Sequence, residues 1–379
     1  MKHRVGLLVT TAVLVVASSG TPALASPASP PAQIAKVFVK SGNLSLYVSF
    51  GAPNNNGSPI TRYVATCNGN DQTVSASAPT SPVLVQNLHN NIFYTCAVRA
   101  VNAIGASLAS YLQPGMPGTN FNKFTYTYCS PGGKPQPMAL FRPKTTAPVP
   151  AILYVHSGGW NAGSLKDVNP SLLVTELTSR GFAFASIDYR LAPGVTPFDQ
   201  ERDVACAVRF LRAHAGQLGI APTKIGAMGN SAGGNLVSLL GVDPPTVSAT
   251  DQWPAQSNKV QAVVDLFGIT EFGPDQMQIM PGLPTIFGTT DQNTIDSYGP
   301  VNYVTPDDPP FMIVHGIDDS IAPVHEGQDF YNLLRAAHVP VSFTPVANMG
   351  HEFQPVGGNL DPSLITLSTR EVNFFTTYL

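Results

Sequence analysis

The sequence predicts a two-part chain of α/β class, in which a body built on a mostly parallel sheet follows a small all-β sandwich. Two observations carry this. From about residue 120 onward, apolar runs of strand length alternate with segments of helical period. Between Val37 and Leu112 the runs are shorter, and turn clusters such as Pro53-Asn54-Asn55-Asn56-Gly57-Ser58-Pro59 separate them. The stretch between the two parts, residues 113–119, is rich in Pro and Gly and reads as a linker.

The composition fits this size and limits the partners. A chain of 379 residues exceeds one ordinary domain, and 43% hydrophobic residues suffice for a large core. Charged residues make up 11% and the net charge is −3, which gives no reason to expect nucleic acid or an anionic membrane as partner. At the N-terminus, Lys2, His3 and Arg4 precede an apolar run from Val5 to Ala17, and Ala23-Leu24-Ala25 has the small residues of a cleavage site. Residues 1–25 therefore read as a secretory signal cleaved after Ala25, with no membrane anchor left after cleavage and an extracellular destination; an uncleaved anchor is the alternative. Residues 26–35, rich in Pro, Ala and Ser, read as an unstructured leader.

In the predicted sandwich, residues 36–112, strands are expected at Leu44–Val48, Tyr63–Cys67, Val83–Val85 and Tyr94–Val98. The run Gly57-Ser58-Pro59-Ile60-Thr61-Arg62-Tyr63 and the spacing Tyr94-x-Cys96-x-Val98-x-Ala100-x-Asn102-x-x-Gly105 resemble a fibronectin type III domain. Tyr94, two residues before Cys96, suits the tyrosine corner of such sandwiches, and Phe50 stands where a core Trp is often found. Cys67 and Cys96 are expected to pair, since both lie on inferred strands and export permits a disulfide. Connectivities through Cys129 and Cys206 stay open, although Cys206 falls in an apolar helical pattern and reads as a buried free thiol. A spacer or weak surface-binding role is the expectation for this part.

In the body, residues 120–379, strands are expected at Phe124–Cys129, Met138–Phe141, Ala151–His156, Phe182–Tyr189, Lys224–Gly229, Val260–Leu266, Phe311–His315 and Val341–Val346. Helices are expected at Asn169–Ser179, Gln200–Leu218, Ala232–Leu240, Val324–Ala337 and Pro362–Tyr378. Two leading strands followed by strand–helix repeats suggest eight strands covered on both faces. Active residues of such sheets gather at the carboxyl ends of the strands.

Four segments lie at such ends. Lys224 to Gly234 reads as a strand, a tight turn at Ser231 and a helix opening on small residues, with Gly229 and Gly233 where the turn leaves no room for side chains. His156-Ser157-Gly158-Gly159-Trp160 follows another strand, and its two glycines free backbone N–H groups for a bound oxygen. Gly158, Gly159 and the N–H of Ala232 are assigned as oxyanion donors; His156 is expected to brace the loop. His315 to Pro323 supplies Asp318 and Asp319, of which one carboxylate can orient a histidine. Gly350-His351 follows the last strand, from where His351 can fold back toward Ser231 as general base.

These segments, together with Asp188-Tyr189-Arg190-Leu191-Ala192-Pro193, resemble the α/β-hydrolase fold, and within it the secreted esterase group called BD-FAE-like, near the hormone-sensitive-lipase and arylformamidase families. The resemblance puts the nucleophile on Ser231 and the base on His351. It puts the acid on Asp319, because the family's carboxylate stands four residues before a proline, here Pro323. Ser157 departs from the family's first glycine. Asp188 and Arg190 are expected to pair inside the fold, and Asp203 to be structural.

The resemblance implies ester hydrolysis through an acyl-serine intermediate. The segment Gly268 to Pro300 is expected to roof the pocket, with Trp160, Met277, Met280 and Phe287 as substrate contacts. An exported esterase carrying a type III module suits polymer-linked esters: acetylated or feruloylated polysaccharide, or polyester. An arylformamidase-like amidase, a serine exopeptidase and a non-catalytic adhesion protein on a hydrolase scaffold are the other readings. No metal or other cofactor is implied, since helical ligand spacing, C-x-x-C and a phosphate loop are all lacking.

Overall fold

The computed structural model describes residues 27–379 except 70–71, 91, 119–120 and 168–173. The expected secretory signal and the start of the expected helix at Asn169 lie outside the described residues.

The sandwich is made of β1 (Val37–Gly42), β2 (Ser45–Phe50), β3 (Arg62–Gly69), β4 (Thr73–Ala78), β5 (Val83–Gln86), β6 (Tyr94–Val101) and β7 (Gln113–Gly115). One sheet has the order β1-β2-β5, the other β4-β3-β6-β7. Alternation puts Val37 and Val39 of β1 inward and leaves Phe38 62% exposed. Tyr94 is fully buried and its hydroxyl accepts the N–H of His89 at 3.1 Å, closing the tyrosine corner. Cys67 and Cys96 stand opposite each other on β3 and β6 and form a disulfide.

Two expectations at the sandwich's borders change. Gln113–Gly115, expected in the linker, pairs with Tyr94–Cys96 as a strand. The described part of the expected leader is also ordered against the sandwich. Ser29 and Ala32 donate to the carbonyls of Asn56 and Asn54, and Ile34 is buried in the core. A Pro-rich stretch has few N–H groups, but two of them and one isoleucine hold this one down.

The body contains β8 (Phe121–Cys129), β9 (Gln136–Pro143), β10 (Val149–Val155), α1 (Thr175–Ser179), β11 (Ala183–Ile187), α2 (Pro197–Ala213), α3 (Ala215–Leu218), β12 (Ile220–Asn230) and α4 (Ala232–Val242). After these come β13 (Val263–Leu266), α5 (Pro274–Ile279), α6 (Leu283–Phe287), α7 (Gln292–Asp296), β14 (Phe311–Gly316), α8 (Val324–Ala336), β15 (Val341–Val346) and α9 (Leu364–Tyr378). The eight strands form one sheet in the order β15-β14-β13-β12-β10-β11-β9-β8. β8 and β9 run antiparallel, and β10 to β15 pair in parallel. Its central strands are buried along their length, as a sheet covered on both faces requires.

Helix α2 starts at Pro197, earlier than expected, because Thr196 and Asp199 form a capping box ahead of it. Cys206, expected as a free thiol, instead forms a disulfide with Cys129. Its helical face does pack inward, but the end of β8 lies against that same face, a contact between segments 77 residues apart. Among the described residues, no helix is long and apolar enough to cross a membrane.

Candidate active site

The parallel strands deliver their carboxyl ends to one rim: Val155 is level with Gly229, Asn230 with Leu266, and Gly316 with Val346. The loop after β10, the turn after β12, the loop after β14 and the loop after β15 all leave from there.

Ser231 occupies the turn between β12 and α4 with φ 54° and ψ −120°, a conformation an L-residue holds only when its surroundings impose it. They do so by crowding. A Cβ on Gly229 would stand 2.2 Å from the carbonyl oxygen of Gly233, and one on Gly233 would stand 2.2 Å from that of Val155. The turn is therefore pressed against β10, and it lifts the serine side chain off the sheet. The Ser231 N–H donates to Leu266 O at 2.9 Å and its carbonyl accepts from Asn235 N at 3.0 Å, fixing both sides of the turn.

His351 brings its Nε2 atom to 2.8 Å from Ser231 Oγ. Its Nδ1 lies 2.8 Å from Asp319 Oδ2, and a carboxylate there can only accept, so the Nδ1–H points to the aspartate. Asp319 is buried; its other oxygen accepts the N–H groups of Ile321 and Ala322, each at 2.9 Å. Burial alone would raise the Asp319 carboxyl, but the hydrogen bond and charge of His351 and the two N–H donors outweigh it and hold it below the usual carboxylate value. Asp318 is exposed, and its backbone N–H donates to Met349 O at 3.0 Å. Of the two adjacent aspartates, Asp319 is the one the structure joins to His351.

Behind Asp319, His315 is wholly buried, with Nε2 2.7 Å from Ala322 O and 3.8 Å from Asp319 Oδ2. Burial pushes its pKa down, which keeps it neutral beside the aspartate.

Across the rim, Gly158 has φ +117°, and its carbonyl accepts from Asn161 N and Ala162 N in a tight turn. A Cβ at Gly158 would stand 2.2 Å from Ala162 O. His156 braces this loop as expected: it is buried, stacks on Tyr189 at 4.3 Å and sets Nδ1 2.6 Å from Ser157 O. Burial lowers its pKa, so it is neutral. Ala232, first residue of α4, has no carbonyl one turn back in its own helix, as at any helix start.

The expected substrate contacts lie elsewhere. Trp160 is fully buried, its rings 5.6 Å from Phe272 and 5.1 Å from Phe287, with Nε1 donating to Asn235 Oδ1. Phe287 is buried as well, and Met277 and Met280 are packed against the same core. The segment Gly268 to Pro300 thus packs onto the body through its aromatic residues, the simpler outcome for an apolar insertion. A cavity of about 670 Å³ opens instead beside Ser157, Gly158, Asn230, Phe267, Glu352 and Phe353.

Sequence reasoning missed Phe267, whose ring lies 5.2 Å from that of His351, and Phe353, 5.0 Å from Phe267. No motif marks either; the one signal is that each adjoins a segment already singled out. It also mispaired Arg190, whose guanidinium holds Asp203 at 2.8 Å, while Asp188 accepts the N–H of Leu165. Among the described residues, no group of His, Cys, Asp and Glu is placed to hold a metal.

This sheet, with a serine on the turn after β12 and a histidine and carboxylate on neighbouring loops, defines the α/β-hydrolase fold. Within it, the BD-FAE family model matches residues 138–334, just over half of the sequence, and the chain belongs to that family. The fibronectin type III domain model matches residues 29–112. Similar curated proteins are the probable carboxylic ester hydrolase LipM of Mycobacterium tuberculosis, 28% identical over 56% of this chain and 51% of its own length, and the esterase LipC of the same organism, 29% identical over 56% and 55%. The chain spans about half the length of these relatives. Among solved structures, the butyrate-bound Est2 esterase of Thermogutta terrifontis superposes with a TM-score of 0.56 at 21% identity, covering 67% of this chain and 93% of that one. A truncated carbohydrate esterase from gut microbiota superposes with a TM-score of 0.57 at 24% identity, covering 70% and 99%.

Proposed function

We propose that this protein is a serine esterase that hydrolyses carboxylic esters through an acyl-serine intermediate. One observation carries the reading: Ser231 Oγ, the His351 ring and Asp319 stand in a continuous hydrogen-bonded line, 2.8 Å at each step. His351 takes the proton of Ser231 as its oxygen attacks the ester carbonyl, and Asp319 steadies the imidazolium that forms. The N–H groups of Gly158, Gly159 and Ala232 hold the oxyanion. His351 then returns the proton to the leaving alcohol, and water repeats the cycle on the acyl-serine. The names of LipM and LipC support the ester bond as the one cleaved.

The two disulfides support action in an oxidising, extracellular compartment, which agrees with the signal-like residues 1–25. The type III module supports polymer-linked esters, acetylated or feruloylated polysaccharide or polyester, as the substrate class.

Labelling with a fluorescent organophosphate and locating the adduct tests the nucleophile. Modification at Ser231, lost in Ser231→Ala, is expected; an unlabelled protein would refute the reading. A panel of p-nitrophenyl esters, acetylated xylan, methyl ferulate, polyester film and formylkynurenine then identifies the substrate and separates an esterase from an amidase.

A further inference from the structure

The cavity next to the catalytic rim is not built by the body alone. Its lining does not include Ser231 or His351 themselves but does include their neighbours: Ser157, Gly158, Asn230, which directly precedes the serine, and Phe267, which packs on His351. It also includes Leu364 and Leu367 of α9 and Lys36, Val37 and Phe38 at the start of the sandwich. β1 is the edge strand of its sheet, and Val37 and Phe38 on it are among the residues lining the cavity. The two parts are tied to one another, with Thr175 Oγ1 donating to Ser41 Oγ at 3.3 Å and Leu112 N donating to Asn359 Oδ1 at 3.4 Å.

The lining shows what could enter. Lys36 and Lys166 are matched by Asp167 and Glu352, so the walls carry no net charge that would select an ionic ligand. Glu371, at the α9 side, is buried, and burial pushes its carboxyl up to about 8, leaving it neutral at pH 7. Accessible apolar surface comes from Phe38, Phe353, Pro355 and Leu364, backed by the buried side chains of Leu266, Phe267 and Leu367. At about 670 Å³ the space falls in the range of small-molecule pockets and far exceeds an acetyl group.

We propose that the first strand of the sandwich is the distal wall of a substrate subsite, and that this subsite takes the uncharged apolar acyl arm of an ester bound at Ser231. The sandwich is then a specificity-determining part of the active site and more than a spacer. The inference rests on the esterase reading.

The test compares p-nitrophenyl acetate with p-nitrophenyl octanoate on the full chain and on Phe38→Ala and Phe38→Asp. Phe38 is 62% exposed, so neither substitution removes core packing. The wild type is expected to prefer octanoate in kcat/KM. Phe38→Asp should lower kcat/KM for octanoate roughly tenfold or more, mainly through KM, and Phe38→Ala by a smaller factor, with acetate unchanged within about twofold. Equal effects on both esters, or none on octanoate, would overturn the subsite while leaving the esterase reading intact. Failure to hydrolyse either ester would overturn both.

Discussion

Ser157 Oγ donates to Glu352 Oε1 at 2.8 Å, joining the loop that carries Gly158 and Gly159 to the residue that follows His351. Glu352 itself has φ +57°, a conformation that a glutamate keeps only when something holds it. The bond thus tethers the loop after β10 to the loop after β15.

If the tether positions His351, Ser157→Ala and Glu352→Ala should each lower kcat/KM by up to about tenfold, the kinetic equivalent of one charge-assisted hydrogen bond of about 1.4 kcal/mol. The double variant should fall no further than the worse single one. Additive losses would show that the two residues act separately.

Asp319 and Asp318 differ in what they touch, and activity should follow. Asp319→Asn is expected to lower kcat by about 10³- to 10⁴-fold, because an amide no longer favours the Nδ1–H tautomer. Asp318→Asn should stay within about twofold. Steady-state kinetics on a p-nitrophenyl ester measures both.

Stability should decline toward alkaline pH. Burial raises the carboxyls of Glu371 and Glu326 from 4.5 to about 8, with the neighbouring Glu176 adding to the rise at Glu371. Below pH 4.5 folded and unfolded chains both hold these protons and there is no penalty. Between there and about pH 8 the unfolded chain releases protons that the folded chain keeps, so stability falls as pH rises, by about a few kcal/mol. Glu371→Gln should flatten part of that slope in urea unfolding measured from pH 5 to 8. An unchanged slope would mean that Glu371 titrates normally.

The Cys129–Cys206 disulfide closes 77 residues of chain, spanning the loop after β10 that carries Gly158. Replacing both cysteines by serine should cost about 4 kcal/mol of unfolding free energy, chiefly by loosening the unfolded ensemble. Chemical denaturation of the variant, with and without reductant, measures this. Reductant should leave a remaining effect through Cys67–Cys96.

Much of the site was legible because its parts are local. Gly229, Ser231 and Gly233 announce a turn that needs missing side chains, and two glycines after β10 announce a loop that needs positive φ. Each is a demand of backbone sterics within a few residues, so the sequence shows it directly. The strand–helix alternation is legible for the same reason, since it follows from hydrophobic period.

What lay beyond reach was every property that depends on which distant segments meet. Neighbouring aspartates look alike until the fold leaves Asp318 exposed and buries Asp319 against His351. Trp160 and Phe287 are equally suited to a pocket and to a core, and only their mutual contact puts them in the core. Cys206 had the pattern of a buried thiol until β8 brought Cys129 to it. The cavity wall at Lys36–Phe38 carries no motif at all, because it arises where two separately patterned domains touch. The sequence by itself determined the two domains and the turns that present Ser231, Gly158 and Gly159. Tertiary structure decided the acid, the second disulfide and the shape of the pocket, because these are set by contacts between segments tens to hundreds of residues apart, which no local pattern encodes.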